Sequence, residues 1–325
     1  MKVTVIGAGA WGTALAKVAA SNGNEVTLWA HHPERLDEIA ATGRNEQYLP
    51  GVDLPKELIL EKDIRAACQS AECCVIAVPS KAFREVTSQL SGFTGIAVSV
   101  TKGIENESGL TMTGVMQREM PGASVAALSG PTLALEVARG VPAAIVAANH
   151  KNSIAKSLQS VFHRPAFRVY TSNDLIGVEL GGALKNVIAI AAGMCDGLQF
   201  GDNAKAALLT RGIAEMRRLG VACGAHSETF AGLSGIGDLT VTCFSKLSRN
   251  RGFGEKLGRG QTLEEIVKSK AIAEGFPTAR SAYFLARKVG VETPIINEVY
   301  ATLYEGKDIG HALHDLMGRG TKLED

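Results

Sequence analysis

The sequence predicts an α/β protein: a parallel sheet wrapped by helices in the N-terminal part, then a C-terminal part made of helices alone. Short apolar, β-branched runs alternate with helical stretches through the first half, as a parallel sheet requires. From Asn173 onward the texture is mostly helical. A third observation sets the plan of the sheet. Lys2-Val3-Thr4-Val5-Ile6 reads as a strand running straight into Gly7-x-Gly9-x-x-Gly12, and an alanine-rich helical segment, Thr13 to Ala20, follows at once. In that setting Gly7 permits a tight turn, Gly9 lets backbone approach a pyrophosphate, and Gly12 lets the helix pack closely on the strand. The helix N-terminus turns N–H groups and a positive dipole end toward the phosphates. The plainer alternative is a structural glycine turn. The context of strand before and helix after favours a Rossmann-type dinucleotide site.

The elements follow in order. Glu25 to Trp29 reads as the second strand and Pro33 to Ala41 as its helix, with proline suited to a first turn. Cys73 to Ala77, Ile96 to Val100, Val125 to Leu128, Ala143 to Ala147 and Phe167 to Tyr170 read as further strands, and Asn45 to Pro55 as an irregular insertion. Helices are expected over Asp174 to Met194, Ala204 to Leu219, Leu263 to Lys268, Ala279 to Val289 and Ile295 to Leu303. The boundary falls near residue 180, giving a cofactor domain over 1–180 and a helical substrate domain over 181–325.

Composition narrows the function classes. A chain of 325 residues is more than one average core wants, so two domains are the default. A net charge of +1 with mixed signs gives no electrostatic case for nucleic acid or an anionic membrane surface. Six cysteines without metal spacing read as buried free thiols in a reducing cytoplasm. No metal site is expected. No secretory leader is read, because the first strand begins at Lys2. The apolar stretch Leu180 to Cys195 is broken by Lys185, Asn186 and glycines, and is not read as a membrane span. Oligomeric state stays open, a homodimer included.

Cofactor choice turns on the tip of the second strand. NAD-preferring sites place a carboxylate there for the ribose 2′-hydroxyl. This sequence offers His31, His32 and Arg35 instead, which favours NADP(H), with NAD(H) still accommodated.

The chemistry points to Lys185, the only charged residue between Glu179 and Asp196. Its neighbours are Leu184, Val187 and Ile188, with Gly181 and Gly182 one turn earlier. Burial lowers an ammonium's pKa or forces it to find partners, and a desolvated lysine is a competent proton donor near neutral pH that also polarises a carbonyl. The bland alternative is a surface lysine snorkelling out of an apolar face. Asn186 adds an uncharged donor. Asp238, on a glycine-framed turn, is placed to orient the lysine, and Arg249, beside Ser248 and Asn250, is a planar fork suited to phosphate. Taken singly, these two also read as an Asx turn and a charged loop. Lys102 lies just past a strand's carboxyl end, where open α/β sheets bind ligands.

Together these segments resemble the bacterial NAD(P)-dependent glycerol-3-phosphate dehydrogenases, the dihydroxyacetone-phosphate reductases, over nearly the whole chain. The ordered set is GAGAWGTALA (Gly7 to Ala16), VPS (Val78 to Ser80), TKG (Thr101 to Gly103), SGPT (Ser129 to Thr132), GGALKN (Gly181 to Asn186), GIGDL (Gly235 to Leu239), SRNR (Ser248 to Arg251) and AEG (Ala273 to Gly275). The resemblance implies a Rossmann domain joined to a helical substrate domain, with both ligands in the cleft between them. It implies Lys185 as general acid/base and Lys102 as a second cationic contact. Gly130 and Thr132 are implied as substrate contacts, and Asn186, Asp238 and Thr242 as the polar surround of the reacting carbon. Ser248, Arg249 and Asn250 are implied at the substrate phosphate. Ala10, Trp11, His31, His32, Lys102, Ala134, Arg249, Ile272 and Glu274 fall at cofactor contacts, beside Gly7, Gly9 and Gly12. Ala10 stands where some relatives have serine, and Trp11 where some have a phenol. The implied reaction reduces dihydroxyacetone phosphate to sn-glycerol 3-phosphate and supplies phospholipid synthesis. Rival readings are a hydroxyacid or ketoacid reductase on the same plan, and a non-catalytic NADP-binding redox sensor.

Overall fold

A computed structural model describes residues 1–268 and 273–318. The chain forms two compact units. The first is Met1–Glu105 with Leu110–Glu179; the second takes Asn106–Gly109 and the residues from Leu180 on.

The first unit is built on strands β1 (Lys2–Ile6), β2 (Glu25–Trp29), β3 (Ile59–Glu61), β4 (Cys73–Ile76), β5 (Ile96–Ser99), β6 (Ser124–Ser129), β7 (Ala143–Ala148) and β8 (Phe167–Ser172). They lie in the order β3-β2-β1-β4-β5-β6-β7-β8. Every neighbouring pair is parallel except β6 with β7. Chain order reverses between β1 and β4, the switch point where such sheets bind ligands. Central strands are covered on both faces, which is why β4 reads as an unbroken apolar run and is buried throughout. Val5, Leu28, Val75, Val98, Leu128 and Ile145 carry the core, with Leu158 and Phe162 packed onto it.

Helices α1 (Ala10–Ser21), α2 (Pro33–Thr42), α3 (Ile64–Cys68), α4 (Phe83–Ser88), α5 (Met112–Glu119), α6 (Ala134–Ala138) and α7 (Asn152–Phe162) cover this sheet. Sequence periodicity anticipates only the first two. Of the rest, α3, α4 and α6 have five or six residues, too few to show a repeat of 3.6. Strand β3, three residues at the sheet edge, escapes for the same reason.

The second unit contains α8 (Leu175–Gly197), which begins in the first unit, then α9 (Gly201–Ala222), α10 (Asp238–Phe244), α11 (Arg249–Gly258), α12 (Leu263–Lys268), α13 (Gly275–Val289), α14 (Pro294–Tyr304) and α15 (Ile309–Met317). Two local expectations are corrected here. Asp238 opens α10 and Arg249 opens α11, so neither sits in a turn or a loop. The Ser248 hydroxyl accepts a hydrogen bond from Arg251 N at 3.2 Å and caps α11. Gly252, Gly254 and Gly258 thin the helical pattern that follows it.

Helix α8 is long and apolar enough to cross a membrane, yet 94% of its most apolar window is buried within the protein. All six cysteines are free thiols. Burial pushes the Cys73 thiol up to about 12, which keeps it unreactive.

Candidate active site

The glycine loop meets each geometric demand read from the sequence. Gly7 has φ +120°, and a Cβ there would lie 2.5 Å from Ala77 O. A Cβ on Gly12 would lie 1.9 Å from Gly7 O, so only glycine lets α1 close on the turn. Around Gly9 nothing lies within 4 Å of where a Cβ would sit. That open approach, ahead of a helix with no side-chain cap and no acid in its first turn, fits a pyrophosphate. Asn45, fully buried, secures the loop by donating from Nδ2 to Ala8 O (2.9 Å) and Thr13 Oγ1 (2.8 Å). Its Oδ1 is buried without a partner among the described residues.

Further expected cofactor contacts cluster in this unit. Ala10, Trp11 and Ala134 pack around Ala14, Leu49, Val52 and Ala138. The Trp11 ring meets Phe167 edge-on at 6.4 Å. His31 and His32 are exposed beyond the end of β2, with ring centres 4.9 Å apart. Arg35, the third basic group there, is already engaged with Glu38 at 2.6 Å.

Three expected substrate contacts meet at one carbonyl. Lys102 Nζ donates to Gly130 O at 3.0 Å, and Thr132 Oγ1 donates to the same oxygen at 3.2 Å. Both segments leave carboxyl ends of adjacent strands, β5 and β6, so the topology delivers them side by side.

In the second unit, Lys185 on α8 is buried, and its Nζ lies 3.0 Å from Asp238 Oδ1 and 2.6 Å from Thr242 Oγ1. Asp238 and Thr242 are four residues apart on α10 and so share a face. The Thr242 hydroxyl donates to Asp238 O at 2.6 Å, leaving its lone pairs for the ammonium. Burying an unpaired ammonium costs several kcal/mol. Here the Asp238 carboxylate offsets that cost and, with Thr242, holds Nζ in one place. The snorkelling alternative is excluded, because the side chain is only 7% exposed. Gly181 explains how α8 comes so close: a Cβ there would lie 2.6 Å from Ser234 O.

A second chain of bonds runs beside the lysine. Asn250 Nδ2 donates to Asn186 Oδ1 (2.8 Å), and Asn250 Oδ1 accepts from Gly275 N (2.8 Å). The Asn186 amide is thereby oriented, with its own Nδ2 at 3.4 Å from Gly182 O. Arg249 is exposed and makes no hydrogen bond or ion pair among the described residues. Glu274 stands at the N-cap of α13. Ile272 lies outside the described residues.

Sequence reading gave no role to Glu179, whose carboxylate accepts from Thr113 N at 2.8 Å and from the Thr113 hydroxyl. Burial pushes it up to about 7, against the pull of hydrogen bonds from Thr113, Thr111 and Met112. The signal was present: an acid interrupting an otherwise apolar helix start. Lys205 on α9, flanked by alanines in the sequence and likewise buried, escaped in the same way.

Comparison with known proteins now decides the family. Residues 2–155 match the family of NAD-dependent glycerol-3-phosphate dehydrogenase N-termini, and residues 174–314 match that of the C-termini. A glycerol-3-phosphate dehydrogenase [NAD(P)+] of Geobacter sp. (strain M21) is 47% identical, covering 99% of this chain and 98% of the relative. The chain belongs to the NAD-dependent glycerol-3-phosphate dehydrogenase family. It is an oxidoreductase with that family's two-part fold. A solved glycerol-3-phosphate dehydrogenase from Coxiella burnetii superposes with a TM-score of 0.93 at 38% identity, covering 98% of this chain and 99% of that one. A ketopantoate reductase from Ralstonia eutropha, of the rival ketoacid type, shares only the fold, with a TM-score of 0.61 at 17% identity, covering 97% of this chain and 100% of that one.

Proposed function

We propose that the chain interconverts dihydroxyacetone phosphate and sn-glycerol 3-phosphate, with Lys185 as general acid/base. The observation that carries this is the buried Lys185–Asp238–Thr242 cluster. Bound reduced nicotinamide supplies the hydride for the carbonyl carbon. As negative charge grows on the carbonyl oxygen, Lys185 delivers its proton there. Asp238 balances the ammonium before transfer and, with Thr242, holds Nζ in one direction. Lys102 offers a second positive contact to the substrate, and Asn186 a neutral donor. Gly130 and Thr132, on the neighbouring loop where Lys102 Nζ meets Gly130 O, contact the substrate. Arg249, Ser248 and Asn250 hold the phosphate, so that binding energy remote from the reacting carbon positions it. That Arg249 makes no hydrogen bond or ion pair among the described residues supports that role, since its fork is uncommitted there.

For the cofactor, Gly7, Gly9, Ala10, Trp11 and Gly12 take the pyrophosphate end, and Ala134, Lys102, Arg249, Ile272 and Glu274 further contacts. His31 and His32, with no carboxylate at the strand tip, favour NADP(H) over NAD(H). The free thiols suit a reducing compartment, and the product suits supply of phospholipid synthesis.

The test is NADPH oxidation with dihydroxyacetone phosphate beside unphosphorylated dihydroxyacetone. Fast turnover with the phosphate alone is expected. Equal rates, or turnover only on a 2-ketoacid, overturn the assignment. A kcat/KM for NADH above that for NADPH would overturn the cofactor preference alone.

A further inference from the structure

Helices α8 and α11 touch backbone to backbone along a seam of four glycines. A Cβ on Gly193 would lie 2.0 Å from Arg251 O, and one on Gly197 would lie 2.5 Å from Glu255 O. From the other side, a Cβ on Gly254 would lie 2.0 Å from Ile190 O, and one on Gly258 would lie 2.5 Å from Met194 O. Each helix spaces its pair four residues apart, so the glycines of each lie on one face. The seam fixes how closely the helices approach but offers no side chain to fix sliding along it.

A charged cluster does that. Asp196, at the C-terminal end of α8, pairs through Oδ2 with Arg251 Nε at 2.6 Å and through Oδ1 with Lys205 of α9. Arg251 also meets Glu255 at 3.1 Å, one turn along α11. The side chains of Asp196, Lys205 and Arg251 are 19%, 8% and 12% exposed, so solvent screens these pairs far less than surface ones. Arg251 is two residues beyond Arg249 and one beyond Asn250, in the same first turn of α11. Whatever anchors Arg251 therefore sets where that turn stands relative to Asn186 and Lys185 on α8.

We propose that Asp196 is a positioning residue for substrate phosphate. Its carboxylate, shared by Arg251 and Lys205, holds the first turn of α11 in register with α8, so that Arg249 and Asn250 meet the phosphate while Lys185 meets the carbonyl. The inference rests on the reading of Arg249 as the phosphate contact. It extends that reading to a residue that touches neither substrate nor cofactor.

Asp196→Asn keeps the shape and removes the charge that the two cations share. The expected result is a rise of about tenfold in KM for dihydroxyacetone phosphate with kcat changed by less than about threefold. The inhibition constant of inorganic phosphate rises in parallel, and the pH profile of kcat, which reports Lys185, does not move. In the Arg249→Ala background the same change adds little, because the two act through one contact. A fall in kcat with KM unchanged overturns the proposal, as does a shifted pH profile or full additivity with Arg249→Ala. If Asp196→Asn fails to fold, Glu255→Gln, which removes only the second partner of Arg251, is expected to raise KM by a smaller factor in the same direction. No rise overturns the proposal. If Arg249→Ala itself leaves KM unchanged, the phosphate reading fails first and takes this inference with it.

Discussion

The two units build their functional places from opposite materials. In the first, the glycine loop works through what is missing: Gly7 and Gly12 leave room for backbone, and Gly9 leaves open space where a Cβ would sit. In the second, the cluster around Lys185 works through what is present, a buried cation held by Asp238 and Thr242 from another helix. A backbone site is local, so its parts are consecutive in sequence and its tolerance is steric. A side-chain site is assembled over distance, here 57 residues between Lys185 and Thr242, and its tolerance is electrostatic. Substitutions in the two places should therefore fail in different ways.

The largest effect is expected at the lysine. Lys185→Ala should lower kcat by about a thousandfold, the scale of general acid catalysis, with little change in NADPH affinity. It also strands a buried carboxylate, so a lowered Tm is expected. Asp238→Asn in the same background should restore stability without activity. If that double variant melts no higher than Lys185→Ala, the ion pair is not what stabilises this region.

The glycine loop offers the converse. Gly12→Ala sets a Cβ against Gly7 O and should cost about 3 kcal/mol of stability along with cofactor affinity. Gly9→Ala meets nothing in the protein and should leave Tm unchanged while still weakening NADPH binding. Equal losses of stability in both variants would break the distinction between room for backbone and room for a ligand. Urea titration with and without cofactor measures each term.

Glu179 supplies a pH-dependent effect of similar size. Its folded pKa of about 7 stands above the ordinary 4.5, so between these values the native state holds a proton that the unfolded chain releases. Stability from this group is full below about 4.5 and falls as pH rises, levelling off above about 7. The loss is on the order of 3 kcal/mol. Glu179→Gln removes the titration. The difference between wild-type and variant unfolding free energies should therefore drift against the wild type from pH 5 to 7.5. A flat difference would mean that the hydrogen bonds from Thr113 hold the carboxylate near its usual range.

This contrast also explains what sequence reading reached. The loop was legible down to the backbone geometry of Gly7 and Gly12, because strand, turn and helix adjoin. Lys185 was legible because a lone charge in an apolar helix must be satisfied. Its partner Asp238 was picked out, but on a turn, because three glycines before it hide the start of α10. Arg249 was likewise read in a loop, since the Ser248 cap is followed by a glycine-thinned helix. The glycine seam and the Asp196 cluster were not legible at all. Gly193 and Gly197 gain meaning only when Arg251 and Glu255, from a distant helix, arrive against them.

The smallest expected effect separates binding from folding within the second unit itself. Arg249 is exposed and makes no bond among the described residues, so its removal exposes no buried charge and opens no cavity. Arg249→Ala should leave Tm within the range of an ordinary surface substitution, about 0.5 kcal/mol. Its cost should appear in KM for dihydroxyacetone phosphate, raised about tenfold to a hundredfold by loss of a charge-assisted contact. Arg249→Lys should recover part of this, because an ammonium keeps the charge but not the two-pronged fork. A variant that loses stability without a rise in KM would show Arg249 to be a structural residue. The phosphate would then have to be held elsewhere, with Lys102 as the next cation to replace.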